Sequence, residues 1–241
     1  MYYYDWPTHF AASIEDQIVA AVESLLPEKY QAARDKPQAE WGSQIDKLTD
    51  TAGKQPPLGG IVFIGSSSIR RWDLKASFPA LPVVNHGFGG SQFCDALYYV
   101  DRLVKNYQPR TVVIYSGDND INAGKSPEQV AADGIATIMA VRRAVPEARI
   151  LALTIKPSPK RWSQVARQRQ ANAILENYVQ TSGDRKLFLV DVATPLLGSD
   201  GLPRPDCYVE DRLHMTGAGY ALWTEKLLPY LVDEQSTEAK K

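Results

Sequence analysis

The stretch that decides the fold is residues 61–72, IVFIGSSSIRRW, in which four apolar residues run directly into a glycine and three serines. Similar short β-branched runs recur along the chain and alternate with helix-length amphipathic segments. This alternation is typical of a parallel sheet that is covered by helices on both faces. The predicted strands span residues 61–64, 82–85, 111–115, 149–154 and 187–190.

Predicted helices connect these strands. Apolar residues at helical spacing mark helices over about residues 93–106 and 127–145. Further helices are expected over about residues 164–181 and 217–231. The second of these four helices begins with Ser126, Pro127 and Gln129, which suit a cap, the first helical position and a capping box. Right-handed crossovers then give an α/β fold, a three-layer αβα sandwich with a doubly wound parallel sheet of about five strands. Ligands of such sheets bind beyond the carboxyl ends of the strands, where we expect the functional residues.

Composition and charge exclude several kinds of partner. The chain has 241 residues, with 27 Lys and Arg against 28 Asp and Glu, so no basic excess offsets the phosphates of a nucleic acid. No apolar run reaches bilayer length, and the start, MYYYDWPTHF, lacks the features of a secretory signal. We expect a soluble protein, cytoplasmic if Met1 is the natural start and secreted or periplasmic if a signal peptide has been removed. Cys94 and Cys207 are predicted to be free thiols.

The first sixty residues have a different pattern from the rest of the chain. Apolar residues at helical spacing predict one helix around residues 14–25 and a shorter one around residues 41–48, and TAGKQPPLGG at residues 51–60 is typical of a linker. We therefore predict a helical N-terminal extension over residues 1–59 and one sheet domain over residues 60–241. Structural cover is the favoured role of the extension, and a homodimer contact is the alternative.

The first two strands end in residues that suit catalysis or ligand binding. Ser66, Ser67 and Ser68 stand where a strand ends and a helix begins, and the amide groups of a helix start can stabilise developing negative charge. Serines at such positions are more often helix caps, so position alone leaves their role open. GFGG at residues 87–90 permits tight turns or close approach of a ligand, but it does not match the dinucleotide-binding fingerprint.

Two later blocks supply amide, carboxylate and imidazole groups. GDND at residues 117–120 follows the third strand, where the amide of Asn119 can donate to an oxyanion and the aspartates can bind a metal or cap a turn. Asp211 and His214 lie three residues apart, directly before the last predicted helix. That spacing lets one short turn supply a general base and the carboxylate that orients it. His9 and His86, the other histidines, are less well placed.

Taken in order, GSSSI, GFGG, GDND and DRLH resemble the four sequence blocks of the SGNH (GDSL-like) hydrolases. The resemblance extends from about residue 60 to the C-terminus. Aligning the GDS motif of that family on Gly65, Ser66 and Ser67 makes Ser67 the nucleophile, with a serine where the aspartate usually stands. Ser66 and Ser68 stay open as alternatives.

The resemblance implies a flavodoxin-like fold and a serine esterase. It implies a triad of Ser67, His214 and Asp211, with an oxyanion hole formed by the backbone amides of Ser67 and Gly90 and the side chain of Asn119. It implies no cofactor and no metal ion. The partner would be a small-molecule carboxylic ester, and short acyl or acetyl groups are favoured because no long apolar lid is visible beside the motifs.

Four aromatic residues lie in or near the motif loops, where they either pack or line the substrate site: Trp72, Phe88, Trp162 and Tyr208. The stretch IKPSPKRW at residues 155–162 is similar to a loop that some SGNH hydrolases place near the pocket.

Two further hypotheses belong to other classes. One is a metal-dependent phosphoesterase with His86, Asp118, Asp120 and His214 as ligands, since carboxylates and imidazoles on a sheet edge can hold divalent ions. The other is a catalytically inactive binding module on the same fold. Sensitivity to a chelator separates the first from a serine esterase, and an esterase assay separates the second.

Overall fold

The computed structural model describes residues 39–50 and 58–232, which belong to one compact unit, Gln38–Lys241. The elements in chain order are α1 (Ala39–Thr49), β1 (Ile61–Gly65), α2 (Ser67–Arg70), α3 (Leu74–Ser77), β2 (Val83–Gly87), α4 (Phe93–Val104), β3 (Thr111–Tyr115), α5 (Asp118–Asn122), α6 (Pro127–Ala144), β4 (Arg149–Leu153), α7 (Val165–Thr181), β5 (Leu187–Val190) and α8 (Gly217–Leu231). Short 3₁₀ helices span Lys105–Tyr107, Pro159–Gln164, Thr194–Leu196 and Pro205–Cys207. Every predicted strand and connecting helix is present within two residues of its expected bounds.

The five strands form one parallel sheet in the order β2-β1-β3-β4-β5. Ile61 at the start of β1 is in register with Val83 on one side and with Thr111 on the other. The chain therefore moves outward from β1 to β2 and then returns to build the other half of the sheet from β3. The doubly wound topology is confirmed, and its switch point lies between the carboxyl ends of β1 and β3.

Both faces of the sheet are covered, as β1 illustrates. Val62 and Ile64 point into a core that is shared with α1, α4, α6 and α7, whereas Ile61 and Phe63 point into a second core that contains Trp223 of α8. The alternation follows the period of two of a strand, and burial on both faces explains the unbroken apolar run. Burying a side chain as large as that of Phe63 stabilises the fold by about 1.5–3 kcal/mol. The predicted αβα sandwich is confirmed.

The start of α6 follows its sequence signal. The Ser126 hydroxyl accepts a hydrogen bond from the Gln129 backbone N–H at 3.3 Å, and the Gln129 side chain accepts one from the Ser126 N–H at 2.8 Å. Pro127 occupies the first turn, where a missing N–H costs nothing. The predicted capping box is confirmed.

Helix α1 packs on the sheet domain. Ile45 is fully buried in the core beneath β1, and the Trp41 ring meets Phe88 edge-to-face with 5.6 Å between ring centroids. The shorter predicted N-terminal helix is therefore confirmed. The helix predicted around residues 14–25 lies outside the described residues, and the domain boundary at residue 59 stays a prediction.

Within residues 39–50 and 58–232, no helix is long and apolar enough to cross a bilayer.

Candidate active site

Ser67 opens α2 directly after β1, and its hydroxyl lies 3.0 Å from Nε2 of His214. Ser66, the cap of this helix, is fully buried, and Ser68 is 2 % exposed. Ser67 is only partly buried. Of the three serines that the sequence left open, Ser67 alone combines access with contact to the imidazole.

Gly65 makes the turn into Ser67 possible. Its φ is +133°, and a Cβ built on it would lie 1.8 Å from the carbonyl oxygen of Tyr115 on β3. The same carbonyl accepts a hydrogen bond from the Ser66 N–H at 3.0 Å. A residue with a side chain would have to push β1 and β3 apart, so the position requires glycine.

Asp211 is held in place by three hydrogen bonds. One of its oxygens accepts from the backbone N–H groups of Leu213 at 2.9 Å and His214 at 2.8 Å, and the other lies 2.6 Å from Nδ1 of His214. Partial burial opposes ionisation of this carboxyl, but the hydrogen bonds from the His214 ring and from the two backbone groups hold the pKa of Asp211 well below its usual range. The ionised carboxylate fixes a proton on Nδ1 and leaves Nε2 as an acceptor towards Ser67.

The turn that carries these two residues is braced by its backbone. Val209 N–H donates to the His214 carbonyl at 2.9 Å, and Arg212 N–H donates to the Val209 carbonyl at 2.8 Å. Arg212 has a φ of +58°, in the left-handed region. Thr216 then caps α8 by accepting from Gly219 N–H at 3.4 Å. The imidazole of His214 therefore lies on a short, hydrogen-bonded turn directly before α8.

Asn119 lies on α5, just after β3, with its side-chain amide fixed at both ends. Nδ2 donates to the Ser91 carbonyl at 3.0 Å, and Oδ1 accepts from the Arg161 guanidinium at 3.0 Å. One N–H of the amide remains for a ligand. Gly90, in the turn after β2, is exposed and has a φ of +83°. Ser67, Gly90 and Asn119 therefore follow three neighbouring strands at one edge of the sheet.

Two cationic side chains that were not among the predicted site residues lie beneath this edge. One oxygen of buried Asp118 lies 3.5 Å from Nζ of Lys156 and 3.2 Å from the Arg161 guanidinium. Lys156 is 1 % exposed and also donates to the Leu213 carbonyl at 3.1 Å, next to His214. Burial lowers the pKa of Lys156, and Asp118 opposes that shift. The only sequence signal for this pair was the loop at residues 155–162, which carries both.

Asp120 points away from the triad, into a different ion cluster. Its carboxylate lies 2.9 Å from Nζ of Lys125 and accepts from the Phe93 backbone N–H at 3.1 and 3.2 Å. Lys125 also pairs with Asp133 at 2.7 Å. Full burial raises the pKa of Asp120 to about 6, against the effect of Lys125. The cluster joins the start of α4 to α6.

The ligands of the alternative metal site are not brought together. His86 is buried beneath α4, with Nδ1 2.7 Å from the Leu103 carbonyl and its ring edge-on to Tyr107. Asp120 is engaged by Lys125, as described above. Among the residues that the structure describes, no three His, Cys, Asp or Glu side chains form a group that could hold a metal ion.

Three of the four aromatic residues pack in the core, which is one of the two roles that the sequence left open for them. Trp72 is 2 % exposed and packs against the rings of α8, and Phe88 is fully buried. Tyr208 is 7 % exposed, and its hydroxyl donates to the Pro157 carbonyl at 2.7 Å. Trp162 is half-buried, and its role stays a prediction.

The two cysteines, Cys94 and Cys207, are buried and free, as predicted.

The chain is similar in sequence to one protein family and to curated relatives. The model of the GDSL-like lipase/acylhydrolase family matches residues 48–222. Among curated proteins, platelet-activating factor acetylhydrolase IB subunit alpha2 of Gallus gallus is 25% identical over 212 residues, which are 83% of this chain and 88% of that protein. The alpha1 subunit from Homo sapiens is 26% identical over 182 residues, 72% of this chain and 74% of that one.

Solved structures share the fold at lower identity. A GDSL-like lipase from Bacteroides thetaiotaomicron matches with a TM-score of 0.64 and 20% identity, over 80% of this chain and 95% of the other. An acetyl-xylooligosaccharide esterase from Geobacillus Stearmophilus gives a TM-score of 0.57 and 16% identity, over 75% and 98%.

Proposed function

Since the chain belongs to the GDSL-like lipase/acylhydrolase family, we propose that it is a serine esterase with Ser67, His214 and Asp211 as its catalytic triad. The observation that carries this proposal is the hydrogen-bonded series from Asp211 through His214 to Ser67, with distances of 2.6 and 3.0 Å. Nucleophile, base and orienting carboxylate stand in the order that acyl transfer requires.

The mechanism begins at Ser67. His214 Nε2 takes the hydroxyl proton as Ser67 Oγ attacks the ester carbonyl, and a tetrahedral intermediate forms. Asp211 stabilises the imidazolium through Nδ1. His214 then gives the proton to the departing alcohol, which leaves an acyl group on Ser67. A water molecule, deprotonated by His214, attacks that acyl group and releases the acid and the free serine.

Three donors are proposed for the oxyanion: the backbone N–H groups of Ser67 and Gly90 and the side-chain N–H of Asn119. Such donors stabilise the transition state most when they are already fixed in place, because no reorganisation is then needed as the negative charge develops. Asn119 meets this requirement through its bonds to Ser91 and Arg161. Loss of one such donor typically costs about 3 kcal/mol of transition-state stabilisation.

Two cationic side chains, buried Lys156 and partly buried Arg161, support the reacting groups. Arg161 holds Oδ1 of Asn119, which prevents the amide from turning its oxygen towards the oxyanion. Lys156 holds the Leu213 carbonyl beside His214. Asp118 pairs with both cations and offsets part of their charge, so one carboxylate links the oxyanion donor to the turn that carries the base. We infer that both are positioning residues.

Short acyl groups, including acetyl, are the proposed substrates. The chain offers no long apolar lid segment beside the motif loops. Among the relatives, the Gallus gallus protein is an acetylhydrolase by name, and a structural neighbour of the same fold is named as an acetyl esterase of xylooligosaccharides.

The test is hydrolysis of a series of nitrophenyl esters, from acetate to decanoate, by the native protein with EDTA present throughout. We expect turnover to be highest with acetate or butyrate and unaffected by EDTA. A clear preference for octanoate or longer would overturn the proposed acyl preference. Activity that disappears in EDTA and returns with a divalent cation would overturn the serine mechanism.

A further inference from the structure

Helix α1 places an aromatic ring against the glycine turn that follows β2. A Cβ built on Gly90 would lie 3.3 Å from Cη2 and 3.8 Å from Cζ2 of the Trp41 indole. Apart from the chain neighbours of Gly90, no other described residue comes within 4 Å of that point. Gly90 is exposed and Trp41 is half-buried. The outer edge of the indole therefore covers one side of Gly90 without being sealed in the core.

The Trp41 ring is fixed by its packing. It meets the fully buried ring of Phe88 edge-to-face, with 5.6 Å between the centroids. Ile45, one turn further along α1, is fully buried in the same core and anchors the helix. A tryptophan side chain has only two rotatable bonds, so few contacts suffice to hold it. The indole is therefore a rigid apolar surface beside Gly90.

A bound ester would lie next to this surface, because Gly90 is one of the three proposed oxyanion donors. In an oxyanion hole the oxygen of the reacting carbonyl lies about 3 Å from each donor nitrogen. The Gly90 nitrogen is bonded to the Cα that the indole covers, so the reacting carbonyl and the indole are close neighbours. This step rests on the proposed serine esterase activity.

The two faces of the sheet indicate which part of the ester meets Trp41. His214 gives its proton to the departing alcohol, so the alcohol lies on the His214 side of the carbonyl. Met215, the next residue, packs in the core that contains Trp223 of α8. Trp41 packs against the core on the opposite face of the sheet. The acyl group, which points away from His214, therefore extends towards Trp41.

We propose that Trp41 is the end wall of the acyl pocket and sets the upper limit of acyl chain length. A short acyl group fits between the reacting carbonyl and the indole, whereas a longer chain collides with the ring, and such a clash is an effective source of specificity. The family model matches the chain only from residue 48 onward, so Trp41 lies outside the matched part. The wall is therefore a contribution of α1, which the sequence alone indicated as structural cover.

The experiment measures kcat/KM for nitrophenyl acetate, butyrate, hexanoate and octanoate with the full chain and its variants. Trp41→Ala removes the wall, and we expect the ratio of octanoate to acetate to rise about tenfold or more, since each added methylene is discriminated by a pocket of fixed size. Trp41→Phe shortens the ring and should give a smaller rise. Hydrolysis of acetate should stay close to the native value in both, because the triad and the oxyanion donors are unchanged.

Leu48→Ala is the control, because Leu48 packs α1 on the same core but does not contact the Gly90 position. It loosens the helix without opening the wall, so its chain-length profile should be native. Should Trp41→Ala not fold, Trp41→Phe decides, since it keeps an aromatic ring against Phe88.

The role of Trp41 is wrong if the folded Trp41 variants keep the native ratio of octanoate to acetate, or if Leu48→Ala raises it equally. With hydrolysis that still depends on Ser67, either result overturns this inference alone. A native protein without hydrolysis that depends on Ser67 overturns the proposed function and this inference together.

Discussion

Asp118 and Asp120 stand two residues apart after β3, and each carboxylate contacts a different buried lysine. Asp118 lies between Lys156 and Arg161, and these cations reach the Leu213 carbonyl and the Asn119 side chain. We call this group the site network. Asp120 shares Lys125 with Asp133 and receives the Phe93 N–H. This second group is the scaffold network.

The two networks differ in the sign of their net charge and in the groups that they contact. In the site network two cations share one carboxylate. Their remaining N–H groups donate to the Leu213 carbonyl and to the Asn119 side chain, which lie next to the reacting atoms. The scaffold network places two carboxylates on one cation and closes on itself between α4 and α6. The GDND block at residues 117–120 therefore contributes to both the site and the fold. The residue type alone does not show which aspartate belongs to which network.

Removing the single cation of the scaffold network should have the largest effect on stability. Lys125→Met leaves Asp120 and Asp133 buried without a positive partner, and breaking a buried pair in this way costs about 3–5 kcal/mol. Urea unfolding measures this loss, while turnover per folded molecule should stay near the native value.

The matched control is Lys186→Met, since Lys186 forms an exposed ion pair with Glu147. It should leave the unfolding curve unchanged. A Lys125→Met protein as stable as this control would mean that the scaffold network does not hold the fold.

Asn119, between the two aspartates, should show the opposite behaviour. Asn119→Ala removes a proposed oxyanion donor, so turnover should fall about a hundredfold, equivalent to about 3 kcal/mol, with little change in the free energy of unfolding. Steady-state hydrolysis of nitrophenyl acetate measures it. Asn122→Ala, on the exposed side of α5, is the control and should keep full activity. A fall of less than tenfold in Asn119→Ala would remove Asn119 from the oxyanion hole.

Arg161 should have a smaller effect, and only through Asn119. Arg161→Met frees the amide oxygen of Asn119, and we expect kcat to fall about tenfold, or about 1.4 kcal/mol, with KM little changed. Arg161→Lys should restore part of the loss. In the double variant Asn119→Ala with Arg161→Met, turnover should match that of Asn119→Ala alone. Additive losses would show that Arg161 acts by another route.

Most of the framework could be predicted because its signals are local. The apolar runs indicated all five strands, and the capping box at Ser126 indicated where the helix after it begins. Helices α3 and α5 were missed because four or five residues are too few to show a period, whereas α2 was expected as the helix that begins at the serines. Because the carboxyl ends of parallel strands meet at one edge, the sequence also predicted that Ser67, Asn119 and the Asp211 turn lie close together.

What could not be predicted depends on contacts between distant segments. Trp72 follows the serine motif, but its burial is decided by the rings of α8, about 150 residues later. Lys156 and Arg161 carry no spacing signal, because their partners come from α5 and from the turn before α8. The motif alignment indicated Ser67, but its two neighbours could be set aside only on their burial, which depends on distant segments.

The most direct test of the serine mechanism compares Ser67→Ala with Ser66→Ala and Ser68→Ala in nitrophenyl acetate hydrolysis, with EDTA present and folding checked by circular dichroism. The geometry predicts that Ser67→Ala loses turnover by a factor of a thousand or more, while the two neighbouring variants, whose hydroxyls are buried, keep most of theirs once folded. Full activity in Ser67→Ala, or loss of activity in a folded Ser66→Ala or Ser68→Ala instead, would contradict it.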